Sequence, residues 1–275
     1  MNSPRFVSDH KSALLSIAGL DPSAGAGVYL DLHVFQAFGF FGAAVPTALT
    51  AQNTQEVTAA RSTKPEMFLS QYQTLASDIR LSGCKCGMFV GPSLFPSLQV
   101  ILNDFKQKPV VFDPVFRSGS GSVFMEGSSI RIYIRKIKGR GSLFTPNLDE
   151  VFSLTGKTVS SPDDLHAAAR RVAEQVEMPC LVKGGHLKGI KVDMLYDGCD
   201  WTSFEHPPVS REVHGTGCFL SSVILCYLVS GETLLRSCTL AIQSTQKAIQ
   251  DAVAIGSGQF VIIPAPSFFQ ASPIR

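Results

Sequence analysis

The residues best suited to chemistry lie in a short glycine-rich turn, Val213-His214-Gly215-Thr216-Gly217-Cys218-Phe219, which runs into an apolar stretch. Such a turn opens a helix, and the free backbone N–H groups of a first helical turn favour an anion. Gly215, Gly217 and Cys218 would present those donors to a phosphoryl group, and Thr216 adds a hydroxyl. Taken alone, the segment reads equally well as a plain helix start whose glycines relieve strain. Cys218 occupies a place where a helix N-terminus can lower a thiol pKa, which makes it a candidate base toward a substrate hydroxyl. Phosphoryl transfer has a loose transition state, so positioning and electrostatics should carry most of the work, with Cys218 assisting. An inert helix-start cysteine is the alternative.

Four other segments carry groups that could serve the same chemistry. In Thr145-Pro146-Asn147-Leu148-Asp149-Glu150, a helix starting after Pro146 would place Asn147 and Glu150 on one face. A carboxamide and a carboxylate there can hold Mg²⁺ through its waters, or can form a simple N-cap with its acid. Val182-Lys183-Gly184-Gly185-His186 offers a lysine whose reach toward phosphates no neighbouring side chain blocks; a surface turn lysine is the other reading. Asp113, in Val111-Phe112-Asp113-Pro114-Val115, could approach a metal or phosphates from a strand end, or could only initiate a turn. The Ser- and Gly-rich residues 117–122 could act as a lid or a plain linker. Finally, Gly19-Leu20-Asp21-Pro22-Ser23-Ala24-Gly25-Ala26-Gly27 is neither a Walker A loop nor a dinucleotide fingerprint. Phosphate chemistry must therefore use the loop at Gly215–Cys218. Asp31, just beyond, could accept hydrogen bonds from a polar substrate or lie on a solvated helix face.

The elements that must position these groups follow from the apolar pattern. With 45% apolar and 17% charged residues over 275 positions, the chain can bury a large core in one α/β domain. Strands are predicted over residues 13–19, 43–51, 85–89, 110–112, 142–144 and 180–182. Helices are predicted over 28–38, from Pro65, and over 92–105, 128–138, 148–155, 163–176, 217–229 and 233–254. Residues 192–196 and 201–204 form a predicted hairpin. Strands spaced by helices imply βαβ units: a mainly parallel central sheet with helices on both faces. Ligands of such sheets sit beyond the carboxyl ends of the strands, where the segments above fall. The expected division is a flexible segment at 1–12, one α/β domain at 13–264 and a tail at 265–275.

A net charge of +2 argues against nucleic-acid or anionic-membrane partners. Arg131, Arg135, Lys136, Lys138 and Arg140 are expected to be a solvated helix face and the loop after it. Seven cysteines without an export signal point to reduced thiols and a cytoplasmic protein. Cys84 and Cys86 should face the same side of a strand as core thiols rather than bind metal.

Taken together, SIAGLDPSAGAG, TALTAQNT, Gly87-Met88, FDPV, TPNLDE, LVKGGH and HGTGC, in this order, resemble the hydroxymethylpyrimidine/phosphomethylpyrimidine kinases of thiamine biosynthesis. These enzymes belong to the ribokinase-like superfamily, and the match runs over roughly residues 13–254. The resemblance implies a ribokinase-like fold and phosphorylation of a hydroxymethyl group by ATP with Mg²⁺, in a homodimer. It also implies a pyrimidine site at Gly19, Asp31, Gln52, Met88 and Val115, with Asp31 and Gln52 on the aminopyrimidine edge. Asp113, Asn147, Glu150, Lys183, Thr216 and Gly217 match nucleotide positions, with Asp113 and Glu150 toward the metal. Cys218 falls where related sugar kinases carry an aspartate base. The lysine usual in the lid is absent and Arg117 stands nearby, which bears on phosphorylation of the monophosphate. A pyridoxal/pyridoxine kinase and a catalytically inactive pyrimidine-binding regulator are the alternatives. A cysteine hydrolase using Cys218 and His214 is disfavoured, because no third orienting group accompanies them.

Overall fold

The computed structural model describes residues 12–119, 121–184, 191–207 and 211–269. Ser120, within the 117–122 segment, and Gly185 and His186, named above, lie outside these residues.

The sheet grows outward from one apolar strand. In β1 (Ala13–Leu20), seven of eight residues are buried, as a central parallel strand covered on both faces requires. Leu14 packs into one core layer while Leu15 and Ile17 pack into the other, following the two-residue period. Around it assemble β2 (Phe41–Gln52), β3 (Val57–Ser62), β4 (Leu81–Cys86), β5 (Val110–Phe112), β6 (Leu143–Phe144) and β7 (Cys180–Val182). The hairpin strands β8 (Lys191–Tyr196) and β9 (Trp201–His206) complete a nine-stranded sheet in the order β3-β2-β1-β4-β5-β6-β7-β8-β9. Strands β2, β1, β4, β5, β6 and β7 run parallel, while β3, β8 and β9 add antiparallel edges. A separate two-stranded pair, β10 (Val213–His214) with β11 (Phe260–Val261), lies beside the glycine-rich turn.

Helices cover both faces. On one side, α2 (Pro65–Ala76), α3 (Phe95–Asn103), α4 (Ser128–Ile137), α5 (Leu148–Thr155) and α6 (Pro162–Val176) contribute to the first apolar layer. On the other, α1 (Gly27–Phe38), α7 (Thr216–Val229) and α8 (Leu234–Gln250) build the second. Local chemistry sets their ends. Gly39 closes α1 in the left-handed region at φ 105°, and Ser161 and Thr233 accept the N–H groups of Asp164 and Arg236 to open α6 and α8. Pro65 begins α2 where a missing N–H costs nothing.

Three expectations change. Strand β4 covers residues 81–86 rather than 85–89, because its pairing with β1 and β5 ends at Cys86 and Met88 beyond it lines the ligand side. Strands β3, β10 and β11 were not expected. The first has only Val57 and Thr58 as strong strand formers and exists by pairing with β2; the others are two residues long. Residues 266–268, assigned to a tail, form a short 3₁₀ turn whose Phe268 packs on Phe219 of α7. The basic run occupies α4 and the loop after it: Lys136 donates to Gln99, Lys138 pairs with Glu177 and Arg140 donates to Asn103. Cys84 and Cys86 lie buried on one face with sulfurs 3.8 Å apart, and no cysteine is disulfide-bonded. No helix among the described residues is long and apolar enough to cross a membrane.

Candidate active site

The carboxyl ends of six strands and the start of α7 open onto one cavity of about 270 Å³. The order of β1 relative to β2 and β4 reverses there, so their following loops part and leave a crevice. Asp21 follows β1, Gln52 ends β2, Met88 follows β4, Asp113 follows β5, Asn147 follows β6 and Lys183 follows β7; all line the cavity.

The turn into α7 explains its glycines. Gly215 is left-handed at φ 76°, and a side chain there would start 1.9 Å from the carbonyl oxygen of Gly25. The 213–218 turn and the 19–27 loop therefore touch backbone to backbone. At Gly217 an added Cβ would lie 3.1 Å from Lys183 Nζ and 3.8 Å from both carboxylate oxygens of Asp113. The first turn of α7 thus faces a cation and a carboxylate with no side chain between them. Thr216 lines the cavity too, though its hydroxyl donates to the Val213 carbonyl at 2.8 Å.

Charges cluster at this end. Lys183 Nζ lies 2.8 Å from Asp113 Oδ1, which also accepts from Thr145, while Ser221 donates to Asp113 Oδ2 at 3.2 Å. Burial alone would raise the Asp113 carboxyl, but Lys183 and Lys85 outweigh it and hold the group below the usual range. Burial would lower Lys183; Asp113 and Glu150 outweigh it and keep the ammonium charged. Glu150 and Asn147 form a reciprocal capping box, with Asn147 N–H donating to Glu150 Oε2 at 2.7 Å and Glu150 N–H to Asn147 Oδ1 at 2.9 Å. The cap and the site are the same two residues, since both also line the cavity. Burial, with Asp113 reinforcing it and Lys183 opposing it, pushes Glu150 up to about 8.

A second cluster holds Gly19, Gln52, Met88 and Val115, all lining the cavity. Met88 packs so close to Gly19 that an added Cβ would meet its Cε at 2.3 Å. His214 bridges to this cluster, with Nε2 at 2.9 Å from Asp21 Oδ2 and 3.0 Å from the Gln52 amide. Burial would raise Asp21, but the bonds from His214 and Ser23 outweigh it and lower it.

Two sequence expectations are corrected here. Asp31 does not reach the cavity. Its buried carboxylate takes Lys85 Nζ at 2.8 and 3.0 Å, Ser16 at 2.6 Å and Ser222 at 2.8 Å, leaving no face for a pyrimidine. The Cys218 thiol is not lowered by its helix terminus. Burial pushes it up to about 11, with Lys85 pulling only partly the other way, so the resting group is a neutral thiol. Conversely, sequence reasoning gave no role to Asp21 and weighed His214 only as a disfavoured hydrolase partner of Cys218; both line the cavity, as does Arg117. The Asp-Pro step inside a glycine-rich loop was the available signal for Asp21. His214 shows its role only when the 19–27 and 213–218 loops are brought together.

Fold and site together define a small-molecule kinase, with a side-chain-free anion cradle facing a lysine–aspartate pair at the strand ends. A sequence model described as phosphomethylpyrimidine kinase matches residues 21–262, and the chain belongs to that family. It is 33% identical over 246 residues to the hydroxymethylpyrimidine/phosphomethylpyrimidine kinase of Aquifex aeolicus, covering 89% of this chain and 96% of that protein. It is 32% identical to the thiamine biosynthesis bifunctional protein ThiED of Geobacter sulfurreducens, covering 90% of this chain but spanning only 51% of the longer relative. The crystal structure of phosphomethylpyrimidine kinase from Clostridium difficile superposes with a TM-score of 0.76 at 30% identity, covering 87% of this chain and all of that one. Pyridoxal kinase from Staphylococcus aureus, solved with AMP-PCP, superposes at 0.84 with 22% identity and 94% coverage of each, a likeness of fold alone.

Proposed function

We propose that the chain transfers the γ-phosphoryl group of ATP to the hydroxymethyl oxygen of 4-amino-5-hydroxymethyl-2-methylpyrimidine, and then to the phosphate of the resulting monophosphate, in thiamine biosynthesis. The observation that carries this reading is one cavity in which the Lys183–Asp113 pair faces the bare backbone of Gly217, while Gln52, Met88 and Val115 form its apolar and amide lining.

The hydroxymethyl oxygen forms the new bond to the γ-phosphorus as the bond to the β,γ-bridging oxygen breaks, and ADP leaves with that electron pair. The backbone donors of Gly215, Gly217 and Cys218 meet the charge on the equatorial oxygens. Lys183, fixed by Asp113, neutralises charge on the nucleotide phosphates. Proton loss from the alcohol is late, because its oxygen becomes acidic only as the bond to phosphorus forms, and a phosphoryl oxygen takes the proton. Cys218, a thiol at rest, orients the alcohol and is not needed as a base. Gln52, held by His214, takes one edge of the aminopyrimidine, and Met88 and Val115 cover its ring.

Asp113 and Glu150 supply hard oxygen donors suited to Mg²⁺, and no group of three or more potential ligands occurs among the described residues. The residues present therefore fit an ion held mainly by nucleotide phosphates and water, with Glu150 and Asp113 accepting from its waters. The ion would neutralise phosphate charge when bound. We extend the family likeness to a homodimer, which light scattering checks.

Turnover of the pyrimidine alcohol, its monophosphate and pyridoxal with Mg-ATP tests the assignment. The alcohol and monophosphate should outpace pyridoxal in kcat/KM. Faster turnover of pyridoxal would replace the reading, and ligand binding without phosphate transfer would make the chain a regulator.

A further inference from the structure

Behind the cavity lies a buried polar cluster that no substrate could touch. Lys85 and Asp31 are both fully buried, in the second apolar layer, where Leu14, Leu30 and Val111 are neighbours in kind. Four elements meet there: Ser16 from β1, Asp31 from α1, Lys85 from β4 and Ser222 from α7. Both carboxylate oxygens of Asp31 are used, one by Ser16 and one by Ser222, and Lys85 Nζ reaches both. A buried ion pair is weak evidence of stabilisation, because apolar or neutral isosteres often replace it without loss. Its placement needs another reason.

The geometry supplies one. Ser222 stands one helical turn after Cys218, and Ser221 one turn after Gly217. Adjacent serines of α7 therefore tie its first turn to two carboxylates, Ser221 to Asp113 and Ser222 to Asp31. The ammonium lies close behind the cavity wall at Ala18. An added Cβ on Gly87, the residue before Met88, would lie 3.5 Å from Lys85 Nζ and 3.0 Å from the side chain of Ala18, which lines the cavity. The pull of Lys85 on the Cys218 thiol also exceeds the opposing push of Asp31.

We infer that the Asp31–Lys85 pair is a positioning element of phosphoryl transfer: Asp31 anchors the first turns of α7 through Ser222 and holds the Lys85 ammonium, as a fixed positive charge, against the back of the anion cradle. The pair adds to the positive end of α7 without exposing a side chain to the nucleotide, and its field is felt in a low-dielectric interior. It is preorganised, so no reorganisation is needed when charge develops on the transferring group. This inference rests on the kinase reading; absence of phosphoryl transfer by the wild-type protein would sink that reading and leave this one without an activity to modify.

The test separates charge from anchorage. The double variant Asp31→Asn/Lys85→Met nearly keeps the shapes and leaves both serines a partner, one donating to the amide oxygen and the other accepting from its NH₂, but removes both charges. Its kcat should fall about tenfold, less than the loss of a donor that touches the transferring group because the charge acts from behind the cradle, with both KM values near wild type. A folded double variant with wild-type kcat, or one whose loss lies in KM, overturns the inference. Should the double variant not fold, Ser222→Ala decides. It keeps the ion pair and removes one hydrogen bond, and its kcat should fall severalfold at unchanged KM. Unchanged kcat in that variant, with only a lower melting temperature, would show the cluster to be structural alone.

Discussion

Asp21 accepts a hydrogen bond from His214 Nε2 at 2.9 Å, joining the loop after β1 to the turn into α7. An ionised carboxylate can only accept, so the proton of His214 sits on Nε2. The Gln52 amide atom 3.0 Å from the same nitrogen must then accept as well, which puts the amide oxygen toward His214 and its NH₂ group toward Thr50 Oγ1, 3.3 Å from the other amide atom. Thr50 Oγ1 donates onward to the Leu20 carbonyl at 2.9 Å. Asp21 thus sets the orientation of the amide expected to read the aminopyrimidine.

Asp21→Asn should release that orientation, since the new amide can donate to His214 and shift its proton to Nδ1. The KM for the pyrimidine alcohol should rise about tenfold, the worth of one buried polar contact, with the KM for ATP nearly unchanged. Steady-state kinetics with each substrate varied in turn checks this, and an equal rise in both KM values would contradict it.

The sequence made the parallel sheet and most strand-end residues legible because each buried strand is a short apolar run ending in glycine, proline or a polar group. Val110–Phe112 and Cys180–Val182 are found where their runs predict, with Asp113 and Lys183 beside them. The placement of Asp31 was not legible. Its partner, Lys85, is a lysine between two cysteines in a strand, and only the packing of α1 and α7 on that face pairs them. The thiol of Cys218 misled for a related reason: a helix start raises its acidity, and burial, which no sequence motif reports, lowers it more.

Gly217→Ala is a direct test of the cradle. The added methyl would lie 3.1 Å from Lys183 Nζ and occupy the space between that cation and the backbone donors. Gly217 lies inside α7 without a left-handed φ, so alanine suits its backbone and the melting temperature should hold or rise slightly. The kcat should fall about a hundredfold or more, as when an oxyanion donor is lost. A variant with near wild-type kcat would place the transferring group elsewhere.

Cys218→Ala separates orientation from base catalysis. Because the thiol is pushed up to about 11, the fraction ionised at neutral pH is small. The variant should lose about tenfold in kcat or less, well short of the loss expected when a required base is removed. A loss of about ten-thousandfold, with a new pH dependence, would restore the thiolate to the mechanism.

Glu150 gives a pH dependence with a defined sign. Its carboxyl is pushed up from 4.5 to about 8, so the free enzyme carries it protonated below that value and ionised above it. The folded state binds more protons than the unfolded state between those values, and this group's contribution to stability declines as pH rises through that window. Metal-bound water needs the carboxylate as acceptor, so apparent affinity for Mg²⁺ should increase as pH rises from 7 toward 9. Titrating activity with MgCl₂ at fixed ATP across this range measures it. Glu150→Gln should flatten the dependence, and an unchanged slope in that variant would assign the proton to another group.

The second transfer is where Arg117 is expected to matter. The segment after Pro114 forms a tight hairpin, with Arg117 bridged to Val123, Ser118 N–H donating to the Ser122 carbonyl at 2.9 Å and Ser122 Oγ donating to the Val57 carbonyl at 3.1 Å. That hairpin brings Arg117 to the cavity lining beside Val115, although the lysine usual in this lid is missing. The monophosphate adds a dianion to a substrate whose ring contacts are otherwise the same, so a lid cation should matter to it alone. A charge-assisted contact of about 1.5–3 kcal/mol corresponds to roughly a 10–150-fold change in affinity. Arg117→Ala should raise the KM for the monophosphate by about that factor while leaving the alcohol within about twofold, and Arg117→Lys should recover part of it. Equal effects on both substrates would show that Arg117 serves the nucleotide, and no effect on either would leave the second phosphate to another cation.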